Sequence, residues 1–243
     1  GDTIGKEGTI FRGLGTRMDN TITYKSPKFA GVTVYAQASL GSGDGEGSSD
    51  VDRYYGLGAQ GQWDALSAAL TVSMTDYKRE FAVATEEDNS LVVTGYGAYD
   101  FGVVKTTLGA QYYDKVKGLP LATATKFAVK DAASWQDEQD RADALEDFAD
   151  DIAHSLIKGY GVILGATAPV GSGTLYASAG YSDYELVDDA TVEGDAFNFG
   201  IGYQYPLSKR TYVYAGLGYD QEEAYGAEKV KTTEVISGIA HHF

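Results

Sequence analysis

The chain has 243 residues, including 31 Gly, 19 Tyr and no Cys, and its 35 acidic against 19 basic side chains give a formal net charge of -16. The acid excess argues against a nucleic-acid partner, because phosphate recognition needs basic patches. No run approaches the ~18 consecutive apolar residues of a membrane-spanning helix, which excludes a helical membrane protein but not strands that alternate apolar and polar positions.

The chain opens Gly1-Asp2-Thr3-Ile4, without an initiator Met or a charged and apolar leader, and reads as processed or as a fragment. The absence of Cys fits an extracytoplasmic protein. Residues 1–18 are glycine-rich and aperiodic, a loop. Residues 20–25 alternate with Ile22 and Tyr24 on one face, and Ser26-Pro27-Lys28 makes a turn. Val32, Val34, Ala36, Ala38 and Leu40 then oppose Thr33, Tyr35, Gln37 and Ser39, ahead of an acidic glycine-serine loop over 41–52. Residues 53–64 and 66–78 alternate about Asp64-Ala65, and residues 90–101 and 103–115 alternate about Gly102, with a polar loop over 79–89. Residues 116–158 break the rhythm, which resumes over 159–170, 174–185, 195–205, 211–221 and 230–243.

The clearest hairpin spans residues 197–220. Phe197, Phe199, Ile201, Tyr203 and Tyr205 face away from Asn198, Gly200, Gly202 and Gln204. After a turn at Pro206-Leu207-Ser208-Lys209-Arg210, Thr211, Val213, Ala215, Leu217 and Tyr219 oppose Tyr212, Tyr214, Gly216, Gly218 and Asp220. A soluble sandwich would interlock large and small residues on its apolar face. Here aromatic residues gather at strand ends and small ones fill the polar face, as in a transmembrane barrel with a wet lumen. The reading is an all-β, antiparallel transmembrane β-barrel domain over 1–243, with about eleven strands of roughly spanning length. Short and long connections alternate, which places the short turns on one side of a membrane and the long polar loops on the other. Trp63, Tyr99, Phe101, Tyr203, Tyr205 and Phe243 form a belt near the short turns, and Tyr55, Tyr112, Tyr160, Tyr181 and Tyr219 a second near the loops.

The pleat sends Val34, Leu70, Leu108, Ile201 and Leu217 toward lipid, and Tyr35, Gln60, Lys105, Gln111, Tyr176 and Gln204 toward the lumen. Residues 132–158 read as a helical loop insertion: Ser134 and Asp137 suit a capping box, Leu145, Phe148, Ile152 and Leu156 form an apolar stripe, and Gly159 can end it. Its other face is acidic, with Arg141 the one base among eight carboxylates from Asp137 to Asp151.

Three segments resemble Gram-negative general porins. Arg17-Met18-Asp19-Asn20-Thr21-Ile22-Thr23-Tyr24-Lys25-Ser26-Pro27-Lys28-Phe29-Ala30-Gly31 resembles their exit from the constriction loop, and Tyr205-Pro206-Leu207-Ser208-Lys209-Arg210-Thr211 their last periplasmic turn. Gly238-Ile239-Ala240-His241-His242-Phe243 resembles their last strand, whose terminal Phe is an assembly signal. The resemblance implies a barrel of about sixteen strands in which this chain begins inside the constriction loop and lacks the N-terminal strands. It also implies a homotrimer in the bacterial outer membrane, among membrane lipid and lipopolysaccharide, that works as a passive channel for small hydrophilic solutes. Lys6, Glu7, Arg12 and Arg17 become the pore-constriction candidates. The acidic helical insertion departs from the short family loops.

No cofactor is expected. His154, His241 and His242 are the three histidines; none pairs with a Ser and an acid, so no catalytic residue is assigned and the chain does not read as an enzyme. Asp44, Glu46, Asp50 and Asp52 could offer oxygen ligands to Ca2+, but their spacing is not that of an EF-hand and a solvated acidic loop is the simpler reading. An outer-membrane barrel whose acidic loops serve binding or adhesion is the alternative function. The acidic vestibule predicts a modest cation preference that fades as salt shortens the ~10 Å screening length.

Overall fold

The computed structural model describes residues 10–13, 18–41, 52–77, 89–117, 156–188, 190–191, 193–224 and 229–242. They form an 11-stranded antiparallel sheet whose strands pair in chain order. The strands are β1 (Thr21–Lys25), β2 (Val32–Ser39), β3 (Arg53–Trp63), β4 (Leu66–Asp76), β5 (Asn89–Asp100), β6 (Lys105–Lys117), β7 (Leu156–Val170), β8 (Gly173–Leu186), β9 (Glu193–Ser208), β10 (Thr211–Ala224) and β11 (Val230–His241). Among the described residues β1 and β11 each have one strand neighbour, so the sheet has two free edges.

Register carries the alternation across the sheet, because directly paired residues share a face. The row Leu108, Leu164, Ala179, Phe199 and Tyr219 runs over β6 to β10 on the apolar face. The row Gln111, Gly161, Ser182, Ala196 and Glu222 runs over the same strands on the other, hereafter the inner face. The apolar face is bare: Leu57 is 64% exposed, Leu164 57% and Ile239 66%. An uncovered apolar face of this extent needs an apolar surrounding. Aromatic pairs sit on it, Tyr99 against Phe101 at 4.6 Å and Phe199 stacked on Tyr219 at 5.5 Å.

Several boundaries differ from the sequence reading. Leu156, assigned to the helical stripe, opens β7, paired with Lys117 of β6, and Gly159 lies within that strand rather than capping a helix. A run such as Leu156-Ile157 fits either period, and pairing with β6 decides for the strand. Residues 134–155 of the expected helix lie outside the described residues. Pro206 stands in β9 rather than in the turn, which shrinks to Lys209-Arg210. A register shift between Thr211 and Tyr212 interrupts the facing ladder beside it, where a residue without N–H is tolerated. β1 has only 5 residues and β9 has 16, against the uniform spanning length expected. The first turn extends past Lys28, with Phe29 bridging Val32 and Ala30 and Gly31 at φ 48° and 85°. Trp63 donates its indole N–H to the Ala30 carbonyl at 3.0 Å and braces that turn.

Candidate functional site

Among the described residues, the most enclosed part lies on the inner face, at the long-loop end of β5 to β10. There β6 carries a bulge: Lys115 has φ 52°, and pairing with β7 shifts between Tyr113 and Val116. The extra residue restores Val116 to the inner face opposite Ile157. Tyr113, Val116, Ile157 and Tyr184 are all at most 1% exposed, and Val92 joins them at 5%. Large side chains thus cluster at this end of the inner face, and they form a seat.

The segment Ile10–Gly13 sits in it. Ile10 is fully buried. A Cβ added at Gly161 would collide with the Ile10 carbonyl oxygen, one at Gly180 would lie 3.0 Å from Ile10 Cγ1, and one at Gly109 3.0 Å from Phe11 Cζ. Three strands therefore keep glycine where the segment crosses them. Gly13 needs its own freedom twice over, for its φ is 65° and an added Cβ would stand 2.9 Å from Val116 Cγ1.

Arg12 fixes the segment to the wall. Its backbone N–H donates to Gln111 Oε1 at 2.7 Å, and the Gln111 amide donates in turn to Thr94 Oγ1 at 3.1 Å. The guanidinium donates to Glu222 Oε1 on β10 at 3.1 Å, with side chains 7% and 6% exposed. It also stands 5.3 Å from the centre of the Tyr184 ring. Arg12 Nε is buried without a hydrogen-bond partner among the described residues. Such a pair adds little net stability, because desolvation offsets attraction, but removing one partner strands the other at a cost of about 3–5 kcal/mol. Its work is positional.

Of the residues singled out in the sequence, Arg12 and Gln111 come together here. Lys6, Glu7, Arg17, Asp44, Glu46, Asp50, His154 and Phe243 lie outside the described residues. Asp52 accepts from Lys117 Nζ at 3.2 Å. Tyr35 and Gln60 share the inner face, and Gln60 Nε2 donates to Tyr35 Oη at 2.9 Å. Lys105, Thr167 and Tyr176 stand in one inner row, and Gln204 pairs with Thr174 and Tyr214. His241 Nδ1 lies 2.8 Å from Thr211 Oγ1 and the His242 ring 5.9 Å from Tyr212. Sequence reasoning missed Glu222, Tyr184, Tyr113 and Val116. The available signal was a bulky residue in the inner phase of a strand that is otherwise glycine-rich there.

At the loop-side rim, Lys229 donates to Glu223 at 2.8 Å and Asp195 at 3.3 Å. The hydrogen bond to Glu223, then that to Asp195, holds its pKa above the ordinary lysine value.

A family described as Gram-negative porin matches residues 1–225. An outer membrane porin protein of Bordetella pertussis is 27% identical over 248 residues, which cover 93% of this chain and 58% of that protein. Among solved structures, the anion-selective porin from Comamonas acidovorans matches with TM-score 0.62 at 22% identity, over 93% of this chain and 60% of that one. The outer membrane channel DcaP of Acinetobacter baumannii matches with TM-score 0.60 at 11% identity, over 90% and 61%. At these identities the structures speak for the fold, and the chain spans about 60% of their length. With an 11-stranded antiparallel sheet, a bare apolar face and a family match over most of its length, the chain belongs to the Gram-negative porin family of the bacterial outer membrane.

Proposed function

We propose that the inner face lines a water-filled channel for passive diffusion of small hydrophilic solutes, narrowed where Ile10–Gly13 crosses the wall. The observation that carries this reading is the segment itself: a stretch of loop lies against the polar face, held by Arg12 to Gln111 and Glu222. Such a segment reduces the open section without closing it, and selectivity then follows from diameter and wall charge. Arg12 is the constriction residue of this proposal, with Lys6, Glu7 and Arg17 beside it in the chain. Tyr35, Gln60, Lys105, Gln111, Tyr176 and Gln204 line the wall.

The free edges of β1 and β11 support closure by about five further strands into a sixteen-stranded barrel, since unpaired backbone groups in hydrocarbon each cost several kcal/mol. A trimer is the proposed assembly; OmpT of Vibrio cholerae, which has this fold at 14% identity and TM-score 0.53, has a trimer form. The proposed ion preference is modestly cationic. Arg12 is neutralised by Glu222, and the chain's 35 acidic against 19 basic side chains support a cation-enriching mouth. The Comamonas porin is anion-selective; in such channels the sign of the preference follows wall charge.

Planar-bilayer recording of the protein purified from outer membranes tests both statements. Stepwise ohmic conductance with a reversal potential of cation-selective sign under a salt gradient is expected. Absence of conductance would sink the channel, and an anion-selective sign would sink the preference alone. Intact mass of the same sample near 25.9 kDa with a closed, conducting barrel would remove the additional strands.

A further inference from the structure

On β9 and β10 the register sets Gly202 opposite Gly216 and Gly200 opposite Gly218, a block of inner wall without side chains. Next to it Tyr176 pairs with Gly202 and Ser178 with Gly200 from β8, while Gln204 and Tyr214 pair with each other one row nearer the short turns. These residues bound a trough of about 700 Å³, within the roughly 300–1,000 Å³ typical of small-molecule sites. Tyr214 lies flat against the neighbouring strand, for a Cβ added at Gly238 would meet its Oη at 2.6 Å and its Cζ at 2.7 Å. That contact holds the ring in place. Tyr176, on the opposite flank, is 42% exposed.

Chemistry narrows the occupant. None of the described lining residues carries a charge, in a chain with 22% charged residues. A charged ligand would find no counter-charge on the lining itself, and the charges flanking it, Lys105 in the row of Tyr176 and Glu234 opposite Gly218, are of opposite sign and favour neither ion. A purely apolar ligand would leave the Gln204 amide and the Ser178 hydroxyl unpaired. A neutral ring with hydroxyls around its edge and C–H groups on its faces meets both demands: the tyrosine rings take its faces, the amide and hydroxyl take its edge, and the glycine floor allows close approach.

We propose that this trough is a saccharide-binding subsite on the channel wall, on the short-turn side of the Ile10–Gly13 segment. The proposal rests on the channel reading above. The test titrates maltotriose into planar bilayers that hold the purified protein, with a polyethylene glycol of similar size as the volume control. Saturation-transfer NMR with maltotriose on the detergent-solubilised protein serves as a readout that needs no conduction.

Saturable block by maltotriose but not by the glycol is expected. Tyr176→Ala and Tyr214→Ala should each weaken it roughly tenfold, Tyr176→Phe should keep it, and Tyr96→Ala, an inner-face tyrosine on β5 outside the trough, should leave it unchanged. Intact conductance with equal effects of sugar and glycol, or with block indifferent to both tyrosines, overturns the subsite and leaves the channel. Tyrosine-dependent saturation transfer without conductance overturns the channel and leaves the subsite. Failure of both readouts overturns both.

Discussion

On β6, β7 and β8 the inner-face glycines Gly109, Gly161 and Gly180 are filled by Ile10 and Phe11, whereas on β9 and β10 Gly200 and Gly202 floor a trough. In the sequence the two patches look alike, since both are glycines in the inner phase of an alternating strand. Their uses differ because one lies beneath a segment with a matching anchor and the other is flanked by tyrosines. A glycine in a barrel wall marks space, and only its neighbours say whether that space is filled.

The largest effect is expected from removing the anchor. Glu222→Ala leaves the Arg12 guanidinium buried and unpaired, at a cost of about 3–5 kcal/mol, and the segment should lift from its seat. Trypsin should then cut after Arg12 in a barrel that resists cutting there when Glu222 is present; equal resistance would mean that the pair does not hold the segment. Replacing both partners, Arg12→Met with Glu222→Leu, abolishes the trypsin site, so there protection is read with chymotrypsin at Phe11; it should be lost in Glu222→Ala and restored in the double variant, because apolar groups of similar volume remove the buried charges together.

A smaller effect separates the two patches directly. Gly161→Val must displace the Ile10 carbonyl and should destabilise by about 1–3 kcal/mol, while Gly202→Val should destabilise less and act on the trough. Thermal unfolding of the two variants side by side checks this, and equal losses would erase the distinction between a filled and an open patch.

The smallest effect is expected at the rim, outside both patches. Lys229→Met removes the bonds to Glu223 and Asp195, which are exposed and screened by salt. Because those bonds raise the pKa of Lys229 in the folded state, their contribution is fully present below the ordinary lysine value. It is lost as pH rises through the raised one. Unfolding midpoints of wild type and variant should therefore differ slightly at neutral pH and converge in strong alkali; a gap that widens with pH would reverse the sign.

The strands were legible because the pleat imposes a period of two and a membrane imposes one apolar face, so Phe197 to Tyr205 and Val213 to Tyr219 declare themselves residue by residue. Arg12 was legible only through a resemblance. Glu222 was not, because which inner-face carboxylate meets Arg12 depends on the register of the strands between them, and a single bulge changes it. Val116 shows the limit most sharply: its face is set by the extra residue at Lys115, and nothing in the alternation of Tyr113, Asp114 and Lys115 announces a bulge. Leu156 misled because an apolar residue four places after Ile152 extends a helical stripe as readily as it opens a strand.

The Arg12–Glu222 contact also has a place in time. Every strand pairs with its immediate chain neighbours, so the wall can grow hairpin by hairpin at small entropic cost. The anchor instead joins residues 210 positions apart, and the seat it enters exists only once β5 to β10 are aligned. The expected order is wall first and segment last, so docking of Arg12 reports that the intervening strands have reached their register. Pulse labelling during refolding, with the segment protected no later than the β9–β10 hairpin, would reverse that order. On this view Arg12, the proposed constriction residue, is also the last check on assembly of the wall.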